Sequence, residues 1–512
     1  MTADTSSAIR SFGRRIADVA AERPDDVAVV FAATDGTEQP ITWAELDRRA
    51  NQIARAFEER MAADTRGEDD IAPERFVVIA LPNSLEHLFS AIAAWRLGAC
   101  VLPLRSDLPQ WERERLVALA RPALAVGDWD VRRVPALSHA DVRATTSYDT
   151  APVPDRVADP AMAVASGGST GSPKLIVDTE PGIYDPDASA YQTAAAMGGA
   201  RVQVQLVPAP LYHTNGFRLA HATLHRGERI VLMERFDAAR AVDLIERHSV
   251  TTVTMAPTML LRIARLPAFD PHRLDSLQSV LQGAAPCPPW LVRWWIDRVG
   301  AERFFIAYGA SERVGITFIR GDAWLEHPGS VGKGLRADVR ILDEQRRDVP
   351  AGVVGEVFLR PHERDADPDL YRGAPPAPHT DDGFVSVGDL GWLDDDGYLY
   401  IADRRADMIV TGGANVFPAE VEAAMSEHPS VADVAVVGVP DDEWGRYVHA
   451  VVQPVDVDAP PSPEELRAHC RARLAPYKVP KAFTFVDALP RTDAGKLNRS
   501  ALADALSSIS PS

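Results

Sequence analysis

The chain has 512 residues, 46% of them apolar and 25% charged, and carries a formal charge of −19. A chain of that length exceeds what one hydrophobic core serves, so two or more domains are expected. The acidic balance argues against nucleic acid or anionic membranes as partners, and three scattered cysteines (Cys100, Cys287, Cys470) exclude a disulfide framework and suit a cytoplasmic, reducing setting.

The first 26 residues are charged and lack an apolar stretch of the export type. No window approaches 18 apolar residues, so neither export nor a membrane span is expected. Thr42 and Glu45 have capping-box spacing ahead of Leu46, Ala50, Ile53 and Phe57, which share one helical face. Residues 76–81 form a continuous apolar run, as a buried parallel strand requires. A helix over 84–97 stops at Gly98 and leads into a strand over 100–104, giving a β-α-β unit. A second such unit is predicted at 229–233, 238–248 and 251–255. Layered α/β architecture follows.

From about Thr380 the texture changes to short strands punctuated by glycine, then to a compact α+β pattern. Helices are predicted at 420–426 and 463–474 and strands at 431–439 and 448–455, the second helix opened by a serine cap and a proline. The domain boundary falls near 404–406, dividing the chain into 1–404 and 405–512.

Between two short apolar runs lies "SGGSTGSPK", residues 166–174. In a P-loop the lysine follows the last glycine directly and opens a helix. Here Ser172 and Pro173 intervene and the flanks read as strands, so that reading fails. A Gly/Ser/Thr loop between strands still offers backbone N–H and hydroxyl groups to a polyphosphate.

Five further stretches follow in order: "PLYHTNGF" with His213, "LQGAAPCPP", "YGASER", the segment from Asp389 to "TGG", and "LPRTDAGKLNR" with Lys496. Alone, each has an ordinary explanation: a turn aspartate, a packed tyrosine, a solvated lysine. Together and in this order they resemble the adenylate-forming superfamily of acyl-CoA ligases, adenylation domains and luciferases, over nearly the whole chain. The resemblance implies a large, multi-subdomain α/β adenylation domain and a small α+β lid on a hinge.

It also implies an ATP- and Mg²⁺-dependent reaction in which a carboxylate attacks the α-phosphate, forming an acyl-adenylate and releasing pyrophosphate. Two anions at ~4 Å oppose each other by roughly 4 kcal/mol per unit-charge pair at an effective dielectric of ~20. Catalysis is therefore largely charge neutralisation and alignment. By the resemblance, Ser166, Gly167, Gly168, Ser169, Thr170, Gly171 and Lys174 would cradle phosphates. Glu312 would hold Mg²⁺, and Ser311 would touch the α-phosphate beside Gly309. Tyr308 would stack on adenine against Gly283, Ala284 and Ala285. Asp389 would accept from the ribose hydroxyls, with Arg404 in support. Lys496 would bridge the attacking carboxylate and the α-phosphate, and His213 joins Lys496 and Glu312 as a catalytic residue. The resembling enzymes often have glycine after the motif glutamate, where this chain has Arg313. At the hinge position commonly held by Asp or Lys, it has Ala406. Gly412 and Gly413 would admit a pantetheine arm.

Several stretches are similar to bacterial ligases for cyclic or steroid-like acids, of the bile-acid and coronafacic-acid types. One of these types uses CoA and the other an amine. "LAPYKVPK" is similar to the CoA-using majority, so a CoA thioester is the expected product. An amide formed without CoA and the loading of a carrier protein in trans stay as alternatives.

Overall fold

The computed structural model describes residues 10–507 except 68–69, 131–132, 168–172, 187–202, 268, 363–368, 442–443, 493–496 and 498. Four of the expected phosphate-loop residues (Gly168, Ser169, Thr170 and Gly171) and Lys496 thus lie outside the described residues.

A nine-stranded sheet organises the larger part of the molecule. Its central strands are parallel: Val27–Ala32, Arg229–Met233, Val204–Val207, Thr252–Met255, Ser279–Gln282 and Phe304–Gly309 follow one another across the sheet. Apolar runs buried on both faces are the sequence signature of such strands. The β-α-β unit expected around the Ala238–His248 helix is present. Its two strands are not neighbours, however, because Val204–Val207 pairs with both and separates them.

A second, four-stranded sheet contains Val77–Ile79 flanked by Val101–Pro103 and Leu124–Val126, all parallel. The Leu85–Arg96 helix, capped by the Ser84 hydroxyl, is buried along nearly its whole length. Helix Trp43–Ala62 starts as expected, with the Thr42 hydroxyl accepting from the Glu45 N–H. The reciprocal half of that capping box is replaced: the Glu45 carboxylate pairs with Arg48 at 3.4 Å instead. An i,i+3 partner on the same exposed face competes with the backbone for it.

Past Arg404 the chain builds its own sheets and cores. Val431–Asp441 and Gly445–Pro454 pair antiparallel, Ala482–Phe485 joins in parallel, and the Pro418–Ser426 and Pro463–Arg471 helices pack nearby. Ser462 and Glu465 form a complete capping box on the second helix. Polar contacts tie this part to the larger one. Arg265 donates to the Ala432 carbonyl, the Trp290 indole N–H donates to Ser426 Oγ at 3.1 Å, and the Ala419 N–H donates to Asp403 at 2.9 Å.

Candidate active site

The hairpin Ala163–Gly167 and Pro173–Val177 carries the described ends of the glycine-rich loop, with Ser166 opposite Lys174 and Gly167 opposite Pro173. Alternation along the strand directs Lys174 to the same region as the turn after Phe304–Gly309. There Lys174 Nζ lies 3.7 Å from Glu312 Oε1 and 3.3 Å from the centre of the Tyr371 ring. The Tyr371 hydroxyl donates to the same Glu312 oxygen at 2.7 Å. Burial lowers the Lys174 pKa against the pull of Glu312, and burial with the Glu312 charge raises that of Tyr371. Lys174, Tyr371 and Glu312 form one clamp.

Tyr371 was not anticipated. It sits on a two-residue strand, Tyr371–Arg372, that pairs with Leu175 and Ile176. No motif surrounds it, and only the pairing brings it to Lys174.

Beside the clamp, Thr214 Oγ1 and Ser311 Oγ are 3.0 Å apart. Thr214 opens the Thr214–His225 helix, with His213 at its N-cap and the His213 and Tyr212 rings 4.4 Å apart. Gly216 has a local reason: a Cβ there would fall 2.3 Å from the Pro210 carbonyl oxygen. The turn over Gly283, Ala284 and Ala285 is held by the Gln282 side-chain amide, which donates to the Gly283 and Ala285 carbonyls at 3.2 and 2.8 Å.

The adenine and ribose candidates also meet. Tyr308 donates its hydroxyl to Asp389 at 2.7 Å, and Arg404 Nε approaches the other Asp389 oxygen at 3.4 Å. Asp389 and Arg404 face each other across paired strands. Burial raises the Asp389 pKa, opposed by Arg404 and the Tyr308 hydrogen bond.

Arg313 neither points to solvent nor stands available to a substrate anion. Its guanidinium binds both Asp178 oxygens at 3.1 and 3.2 Å and Glu180 at 2.5 Å, and Asp178 is bound in turn by Arg218. At the hinge, uncharged Ala406 is followed by Asp407, which lies 3.8 Å from Arg499. Arg499 also holds Glu422 through two 2.7 Å contacts, and Arg491 holds Asp433 at 2.6 Å. These anchor the described residues on either side of 493–496. Gly412 is explained by packing, since a Cβ would fall 2.7 Å from the Trp444 ring.

The donor set suits a magnesium ion bound chiefly by its nucleotide. Among the described residues no group of three His, Cys, Asp or Glu side chains could hold a metal. Glu312 offers a single carboxylate with its Oε1 occupied. Mg²⁺ commonly takes one or two carboxylates and completes its shell with water and phosphate oxygens.

Two family models match the chain, one described as AMP-binding enzyme over residues 16–362 and one as its C-terminal domain over 420–496. A 2-succinylbenzoate–CoA ligase of Bacillus licheniformis is 31% identical, over 82% of this chain and 87% of its own length. A feruloyl-CoA synthase of Amycolatopsis is 32% identical, over 89% and 92%. Among solved structures, the o-succinylbenzoate CoA synthetase of Bacillus subtilis with its acyl-adenylate intermediate has a TM-score of 0.77 at 26% identity, covering 96% of this chain and 98% of that one. The amide bond synthetase McbA of Marinactinospora thermotolerans has 0.74 at 28%, covering 97% and 99%. With the larger family model spanning well over half of its residues, the chain belongs to the AMP-binding enzymes, the adenylate-forming superfamily of acyl-CoA synthetases.

Proposed function

We propose that this protein joins a carboxylic acid to coenzyme A in two steps. A carboxylate oxygen bonds to the α-phosphorus of ATP as pyrophosphate leaves. The CoA sulfur then bonds to the acyl carbon as AMP leaves, and the thiol proton is released. The observation that carries this reading is the Lys174–Tyr371–Glu312 clamp at the end of the glycine-rich hairpin. It sets a cation and a metal-type carboxylate side by side, as a polyphosphate with its counter-ion requires. Magnesium bound by Glu312 would supply charge neutralisation.

Ser166, Gly167 and Lys174, with residues 168–171, bind the outer phosphates in this reading. Ser311 serves the α-phosphate, Tyr308 the adenine, and Asp389 with Arg404 the ribose. Residues 1–404 form the adenylation domain and 405–512 a mobile lid that delivers Lys496. The polar contacts between the two parts, of the kind found between separable domains, support motion of that kind. The acid is cyclic or hydrophobic, in line with the ring-bearing acids named for the two relatives. Three free thiols fit a cytoplasmic location.

CoA is preferred to an amine on one surface feature. Trp444 is 41% exposed, and the Lys481 ammonium lies 3.8 Å from its ring centre. The ammonium covers one face of the ring, and an exposed indole edge with that cation suits a base that carries phosphate. The likeness to an amide bond synthetase favours the second reading, amide formation without CoA.

Hydroxylamine trapping over a panel of acids, with AMP measured, tests the first step. The expected result is acid-dependent AMP and pyrophosphate, with Lys496→Ala slowing adenylation by about 10²–10³, the usual loss for a preorganised donor. ATP split to ADP would refute the reading. AMP release with CoA and with amines then separates the acceptors. Trp444→Ala should raise KM for CoA and leave adenylation unchanged, whereas amide formation without CoA selects the second reading.

A further inference from the structure

Arg313 occupies the left-handed region, with φ +56°, where any side chain beyond glycine crowds its own backbone. It follows Glu312 directly, so the same turn that strains Arg313 aims the clamp carboxylate. The half-buried guanidinium crosses to Asp178 and Glu180. Asp178, whose side chain is 5% exposed, immediately follows the Pro173–Val177 strand that carries Lys174. Two adjacent residues of one turn are therefore braced to two points along one strand: Glu312 to Lys174, and Arg313 to Asp178.

We propose that Arg313 is a positioning residue, whose ion pairs to Asp178 and Glu180 hold the turn left-handed and so aim the Glu312 carboxylate at the metal–nucleotide complex. The proposal rests on the role given to Glu312 above. It differs from a substrate-contact role because the guanidinium is already engaged by two carboxylates. Removing Arg313 leaves Asp178 paired with Arg218, so the variant strands no buried charge there.

Glycine accepts this conformation without bracing, which yields a discriminating series. Arg313→Ala should weaken MgATP binding on the order of tenfold, the scale expected when a group supporting a metal ligand is lost. Binding of ATP in EDTA should change less than about twofold, and Arg313→Gly should recover MgATP affinity to within about threefold of the parent. Calorimetric titration reads all three without any acid present. Arg313→Gln, which keeps the buried stem, takes the place of alanine if that variant does not fold.

Equal weakness of the glycine and alanine variants would overturn the proposal, as would parallel losses with and without metal. The MgATP series also separates the proposal from the proposed reaction. If no acid supports turnover but the series behaves as expected, the brace stands and the ligase reading falls. If the parent turns over acids and the variants bind MgATP as the parent does, the brace alone is refuted.

Discussion

The two halves of the Thr214–His225 helix handle their titratable side chains in opposite ways, although Arg218, His221 and His225 follow one another along one face. Towards the clamp, Arg218 lies one turn after Thr214 and is charged, paired with Asp178, which also holds Arg313. In the C-terminal half His221 and His225 pack with His87 against Trp95, Phe12 and Phe217. Burial pushes the His87 pKa down to about 3, aided by His221, and that of His221 to about 4. Each donates Nδ1–H to a backbone carbonyl, of Leu81 and Phe217 respectively. Their Nε2 atoms find no hydrogen-bond partner among the described residues. The N-terminal half keeps its charge by pairing it, and the C-terminal half keeps its groups neutral. Pairing is found where an anionic substrate is expected, and neutrality where aromatic packing dominates.

The sharpest break of this contrast is Asp178→Ala. It leaves Arg218 without that carboxylate and Arg313 with Glu180; full burial would make such a loss cost about 3–5 kcal/mol, and the partial exposure of both arginines brings it nearer to about 2 kcal/mol. Urea unfolding should show that loss, and an unchanged midpoint would mean that the network carries little.

The neutral half should respond to acid. The folded pKa values of His87 and His221 lie below the ordinary 6.5, so the unfolded chain binds more protons between about 6.5 and 4. Stability is therefore full above that window and falls as pH drops through it, by up to about 1.4 kcal/mol per pH unit for each histidine. Burial raises the Asp178 pKa, but Arg218 and Arg313 outweigh it and hold the carboxyl below the usual carboxylate range. The paired half thus keeps its contribution until the pH falls below that range. Replacing His221 by Leu should flatten the slope of stability between pH 6.5 and 4, and an unaltered slope would sink this account.

The smallest effect concerns the helix start. Thr214→Val removes the hydroxyl contact to Ser311 and should cost about 0.5–1.5 kcal/mol. Its adenylation rate should fall less than that of Lys174→Ala, in a pyrophosphate-exchange assay.

Much of the fold was legible because its signals are local. The strand Arg229–Met233 and the helix Ala238–His248 end where the apolar run and the helical period end. The strand between that unit's two neighbours was missed, although "RVQVQLV" alternates as a half-buried strand does. In the candidate site, Tyr308, Ser311, Glu312, Asp389 and Arg404 were read from motifs. Tyr371 was not, because a tyrosine in a short loop strand has no distinguishing neighbours. The partners of Arg313 were equally hidden, since Asp178 lies 135 positions away.

The sequence alone determined the order of motifs, the helices and strands with strong periods, and the superfamily, since each depends on residues a few positions apart. Tertiary structure alone decided that Lys174 meets Glu312 over the Tyr371 ring, and that Arg313 turns inward to Asp178 and Glu180. Ion pairs and ring contacts act across a few ångströms of space whatever the separation along the chain. Packing of the strands chooses which distant side chains come within that reach.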